Sequence, residues 1–229
     1  MLFKLKSRGK VFFFVCVIIA FGLFFRVSLD KFFYDGSNGA ITSPIDAKDE
    51  ADRLIQIASQ NFFYHEFDQA VENYKKAIAL FEERKNFKRA ARTYESIGDT
   101  YKFSRNSKKA KNTYLLAVEY HQKIQNIIGE GRAMKKIGEF HMERSEFNKA
   151  GQWFEKAVAK IKETKPNLVK AKIYEIQGRY FLEVKKFSMA LGSFRKAKST
   201  FDQIGYPLGY DTISPMIQKL KQQQGTTTT

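Results

Sequence analysis

The 229 residues suit one domain with an appendage, a hydrophobic content of 43% can fill a core, and four prolines leave long helices unbroken. A single cysteine, Cys16, excludes an intramolecular disulfide, and the formal charge of +16 calls for an account of where the cations lie. No strand-like alternation competes with helix along the chain.

The chain opens with Lys4, Lys6, Arg8 and Lys10, then the unbroken apolar run 11–25, then Arg26, Asp30 and Lys31. This pattern predicts a basic flank over 1–10 and a transmembrane signal-anchor helix over 11–29. Fifteen apolar residues span only ~22 Å against a hydrocarbon core of ~30 Å, so the helix borrows Val27 and Leu29 while Lys10 and Arg26 snorkel. A cleaved signal peptide is the rival reading, because Ala20-Phe21-Gly22 offers a small-x-small site, although cleavage would leave Leu23-Phe24-Phe25 at the new terminus. Cys16 lies among Phe14, Val15 and Val17 and reads as a lipid-facing side chain rather than a lipidated one. Four cations before the run against Arg26, Lys31 and Lys48 after it predict a cytoplasmic N-terminus and an extracytoplasmic remainder, periplasmic if the cell is bacterial. Phe32, Phe33 and Tyr34 suit an interfacial belt, and the Gly, Ser, Asn and Pro of 30–50 suit a linker.

From residue 51 the sequence repeats. Ala58, Gly98, Gly138 and Gly178 stand 40 residues apart; Ala70, Ala110, Ala150 and Ala190 follow each by twelve, Tyr74, Tyr114, Phe154 and Phe194 by sixteen, and Ala77, Ala117, Ala157 and Ala197 by nineteen. Small residues let two helix axes approach closely, and a ring between two alanines fills the space beside them. This spacing resembles the tetratricopeptide repeat family. The resemblance covers about 51–205 and implies an all-α, right-handed superhelical solenoid of four helical hairpins, at about 51–88, 91–128, 131–168 and 171–206 within a domain over 51–209. Helix A runs through Leu54, Tyr94, Met134 and Tyr174, helix B through the Ala-ring-Ala segment, and Phe67, Phe147 and Phe187 stand near the turn, a column that Ser107 breaks. The period of 40 departs from the family's 34, the opening Trp is absent and no closing Pro recurs. HEAT and armadillo repeats share the period but not the small-ring-small spacing. Residues 210–224 suit a capping helix and 225–229 a disordered tail.

The first 44 residues hold six basic and two acidic side chains, which leaves +12 on the rest. If the family's groove-facing positions carry over, helix A places Arg92, Lys102, Arg132, Lys135, Lys172 and Arg179 there beside Asp52, Glu95, Asp99, Glu139, Glu143, Glu175 and Glu183, so the groove is balanced. The excess cations belong to second helices and turns, giving a basic edge at Lys108, Lys109, Lys111, Lys149, Lys185 and Lys186. The chaperone-binding carboxylate clamp of the family is mostly missing, since Ile55, Ser59 and Ser96 stand where lysine and two asparagines are required. Phe62, Phe63 and Phe103, expected on or near the inner, groove face toward the membrane-proximal end, are the candidate apolar anchors of a partner.

His65, His121 and His141 fall in separate repeats, without metal-ligand spacing, and no Gly-rich loop precedes a helix. Each His reads as a surface or packing residue, and Trp153 beside Phe154 as packing, with an exposed partner anchor as its alternative. No cofactor and no catalysis are expected, and nucleic acid is not expected as a partner for want of any base-reading motif. The expected function is that of a membrane-anchored scaffold or adaptor binding acidic or membrane-complex proteins, as a subunit or assembly factor. Two alternatives stay open: a cytosol-facing receptor for client proteins and a secreted repeat protein.

Overall fold

The computed structural model describes residues 50–225, with side chains from 50 to 222. The expected anchor, nearly all of the linker and the last four residues of the tail lie outside them. All regular structure among the described residues is helical: α1 (Glu50–Phe63), α2 (Phe67–Glu83), α3 (Phe87–Phe103), α4 (Ser107–Lys123), α5 (Ile127–Glu143), α6 (Phe147–Ile161), α7 (Leu168–Glu183), α8 (Phe187–Gln203) and α9 (Pro207–Gly225). None of them is long and apolar enough to cross a membrane.

The backbone repeats every 20 residues, half the period of the side chains. Each connection except 162–167 has three residues, and its middle residue is left-handed: His65, Lys85, Arg105, Gln125, Ser145, Lys185 and Gly205. The next residue donates its N–H five positions back, Glu66 to Asn61 at 2.8 Å, Asn86 to Phe81 at 2.7 Å and Asn106 to Tyr101 at 2.8 Å, which is a Schellman closure. That same residue stands at the N-cap of the following helix, and at Asn86, Asn106 and Asn126 its side chain accepts from the N–H of Arg89, Lys109 and Gly129. One residue therefore ends one helix and starts the next at a constant angle, and neighbours pack antiparallel. Pro166 breaks the pattern by restricting the residue before it, and the longer turn ends on extended Asn167, which caps α7 through the N–H of Lys170. Gly205 in the left-handed turn and Pro207 at the first helical position start α9 earlier than composition suggests.

Helices α1 and α2, α3 and α4, α5 and α6, and α7 and α8 form the hairpins, and α9 closes the stack against α8. Successive first helices touch directly, α3 with α5 and α5 with α7, so they share one face. Turns 64–66, 104–106, 144–146 and 184–186 fall on one edge of the stack, and the remaining turns, with the start of α1, on the other.

Close approach within hairpins depends on missing side chains. A methyl on Gly98 would stand 2.4 Å from the Tyr114 ring, on Gly138 2.5 Å from Phe154 and on Gly178 2.7 Å from Phe194. Tyr114, Phe154 and Phe194 are at most 1% exposed, so these rings cannot retreat into solvent. The apolar core forms two clusters, one over α1 to α3 and one from α4 onward. Glu95, Thr93, Thr100 and His121, all buried, lie where the two meet.

Two glycine substitutions separate packing from propensity. A methyl added at Gly192 would meet nothing within 4 Å, so Gly192→Ala is expected to raise stability by about 1 kcal/mol in urea unfolding. Gly138→Ala gains the same propensity yet is expected to lose about 1–3 kcal/mol net, because its methyl has no room beside Phe154.

Candidate functional site

The face shared by the first helices carries a ladder of ion pairs whose partners lie one repeat apart, less one helical turn. Arg89 bonds Asp52, Arg132 Nε bonds Glu95 at 2.9 Å, and Lys136 Nζ bonds Asp99 at 2.6 Å, each across 37 residues. Lys102 reaches Glu143 at 3.0 Å across 41. Within helices Lys135 bonds Glu139 at 3.1 Å, and Lys172 and Arg179 converge on Glu175 at 2.9 and 3.0 Å. These last two groups, with Ile176, line a cavity of about 220 Å³ between α5 and α7. Of the groove cations expected from sequence, Lys102, Arg132, Lys135, Lys172 and Arg179 are thus held by acids of the domain itself, and Arg92 is partly buried on α3.

Glu95 is the centre of the ladder. Its side chain is only 5% exposed, and it accepts from both Arg132 and His121 Nε2, the latter at 2.8 Å. The tautomer of His121 follows from its other nitrogen. Asn126 Oδ1 is committed to the N–H of Gly129, so the amide donates to His121 Nδ1 at 3.1 Å and leaves Nε2 as the proton donor to Glu95. Burial alone would raise Glu95, but the His121 hydrogen bond and the Arg132 charge outweigh it and hold the carboxyl down to about 2. Beside it, burial would lower Lys136, and the Asp99 and Glu95 charges raise it instead. Burial and then Asp99, which accepts from the Tyr114 hydroxyl at 2.6 Å, raise that phenol. The charges in this layer therefore serve the joint between the two apolar clusters.

The remaining sequence-predicted residues gather on the edge formed by the turns after the first helices. Phe62 packs edge-on against Phe67 and, at 5.2 Å, against Phe103. Phe63 is 43% and Phe103 57% exposed, and Lys102 stands over the Phe103 ring. Along the same edge lie Lys108 and Lys109 at the start of α4, with Lys111 one turn on, Lys149 on α6, and Lys185 and Lys186 in the last turn. Lys149 is paired with Glu146, which its hydrogen bond first, then that of His141, holds at about 2. His121 and His141 are buried at the last-turn position that Phe81, Phe181 and Phe201 occupy elsewhere, and His65 occupies a left-handed turn position. Trp153 packs against the core with Lys156 over its ring. Among the described residues no cluster of His, Cys, Asp and Glu could hold a metal. Sequence reasoning missed Glu130, buried where Ala90 and Ala110 stand in their helices and held by Lys160 at 3.1 Å; its place in that 20-residue column was the available signal.

The profile of the soluble NSF attachment protein (SNAP) family matches residues 38–206. No curated protein matches the sequence. Among solved structures, the crystal structure of the apo form of RapI superposes with a TM-score of 0.63 at 15% identity, over 77% of this chain and 49% of that one. The chain thus spans about half the length of RapI, and the likeness lies in the fold, a helical repeat.

The depressed Glu95 carboxyl makes stability acid-sensitive. Its contribution is complete above about pH 5, where the unfolded carboxyl is also ionised, and is lost as pH falls toward 2. Glu95→Gln is expected to lower unfolding free energy at pH 7 by on the order of 3 kcal/mol, with native protein and variant converging near pH 2, as followed by denaturant titrations across that range.

Proposed function

The chain belongs to the SNAP family, and from that premise we propose that it is a membrane-tethered adaptor that holds a partner protein beside the bilayer, as a subunit or assembly factor of a membrane-associated complex. The family's name records attachment to another protein, NSF, and both that family and the RapI likeness support binding through a helical-repeat scaffold. Residues 11–29 would supply the tether, with the N-terminus in the cytoplasm and the repeats on the far side, a topology supported by the excess of cations before the apolar run. The work is binding, without turnover.

The observation that carries the reading is the division of charge over the domain. Cations on the groove face are neutralised by acids of the domain, Lys102, Arg132 and Lys136 by acids about one repeat away and Lys135, Lys172 and Arg179 by acids of their own helices, so the first hairpins are held in register partly by charge. Exposed apolar side chains and cations without ion-pair partners among the described residues instead collect at the two edges, Phe63, Phe103 and Phe187 beside Lys108, Lys109, Lys185 and Lys186 on one and Phe87, Ile127 and Leu208 beside Lys85, Lys88 and Lys123 on the other, where a partner can reach them without dismantling the ladder. Neutral groove and cationic edge together favour recruitment of acidic proteins over capture of a free carboxylate terminus.

Gentle detergent extraction of the full chain from its own membranes, followed by size separation at about 0.1 and 1 M salt, tests this reading. The protein is expected to resist alkaline washing and to co-migrate with stoichiometric protein companions at low salt, with binding weakened at least tenfold at high salt. An isolated protein at both salt concentrations contradicts the adaptor reading, and release by alkaline washing contradicts the tether.

A further inference from the structure

Two sets of residues that are far apart in the sequence form one strip. Phe63 and Tyr64 end α1 with 43% and 68% exposure, Phe103 ends α3, and Phe187 and Met189 begin α8 with 44% and 50%. Contacts across the edge fix its continuity over the first three turns: the rings of Phe62 and Phe103 touch, Lys102 bonds Glu143, and Arg144 Nη1 donates to Ser107 Oγ at 2.8 Å. Between the rings stand Arg105, Lys108, Lys109, Lys185 and Lys186, all exposed and, among the described residues, without an ion-pair partner. Glu66 and Asp68 flank the first turn, Glu143 and Glu146 the third, where they bond Lys102 and then Arg144 and Lys149, and Glu183 the last, so the unpaired positive charge concentrates at the second and last turns.

We propose that this edge, from Phe63 to Lys186, is the docking site of an acidic amphipathic helix of a partner protein. Charge complementarity selects an anionic occupant. Its spacing selects a helix: successive hairpins stack about 10 Å apart, which matches the rise of seven helical residues, so apolar side chains at that spacing meet exposed rings at the first, second and last turns and half-buried Phe147 at the third. The whole strip is roughly 30 Å long, the length of about 20 helical residues. A protein is favoured over a lipid surface because acids stand among the cations at the first, third and last turns, a mixed pattern that suits the side chains of a helix and opposes a uniformly anionic headgroup layer. The proposal rests on the adaptor reading and names the site and partner chemistry within it.

Photo-crosslinking in the native cell tests it with the full chain, placing benzoylphenylalanine singly at 63, 103 and 187 on this edge, at 127 on the opposite edge and at 135 on the groove face. Expected are crosslinks from 63, 103 and 187 to a segment that sequencing shows to be net negative with helical apolar spacing. Lys108→Glu combined with Lys185→Glu, exposed positions that leave the helical circular dichroism unchanged, is expected to reduce the yield at least tenfold. Crosslinks confined to 127 or 135 overturn this site while leaving the adaptor reading intact, and crosslinks from this edge to lipid, or to a segment that is not acidic, overturn the partner. Silence at all five positions, with the protein intact in the membrane, contradicts both readings.

Discussion

Two helix axes approach only as closely as the side chains between them permit, and here that limit is set where Gly98, Gly138 and Gly178 lie flat against Tyr114, Phe154 and Phe194. The contact fixes the distance and the rotation of each hairpin. With rotation fixed, the same face of one first helix meets the next, and Asp52, Glu95 and Asp99 each find a base 37 residues on. With distance fixed, the short Schellman turns recur every 20 residues and gather along two edges. The ladder and the edges are therefore consequences of one packing constraint that uses no polar chemistry.

The ladder in turn decides what the surface can offer. A buried carboxylate is tolerable only if paired and hydrogen-bonded, and Glu95 has three partners' worth of donors from His121 and Arg132. That layer lies where the two apolar clusters meet, between α3 and α4, and its acids Glu95 and Asp99 also bond Arg132 and Lys136 of α5, so the second and third hairpins are joined partly through charge. Groove cations spent in this way are poor readers of a ligand, since a ligand must displace an acid already in place. Cations at the turns carry no such obligation.

The repeat is legible in the sequence because close packing restricts its key positions to alanine, glycine and rings. Its true backbone step of 20 is harder to see. One column does carry it, Leu54, Tyr74, Tyr94, Tyr114, Met134, Phe154, Tyr174 and Phe194, but neighbouring columns alternate with helix type, as Ile57, Ala77, Ile97 and Ala117 do, and disguise it. The turns leave no glycine signature: His65, Lys85, Arg105, Gln125, Ser145 and Lys185 accept left-handed backbone because two main-chain hydrogen bonds close each turn. Glu95 reads from sequence as one groove acid among several, and its burial depends on His121 and Arg132, which only the fold brings to it. Phe103 and the lysines of the edge are each recognisable, while their union with Phe63 and Phe187 into one strip follows from the alternation of turns between edges.

The central claim is that the groove charges hold the fold and the edge meets the partner. Reversing one groove pair in both directions, Lys135→Glu together with Glu139→Lys, preserves the pair while exchanging its charges. The measurement is the amount of companion protein retained by this double variant on gentle extraction, set against its thermal unfolding. Retention and unfolding both unchanged from the native protein are predicted, and loss of companions from a domain that unfolds normally would contradict the account.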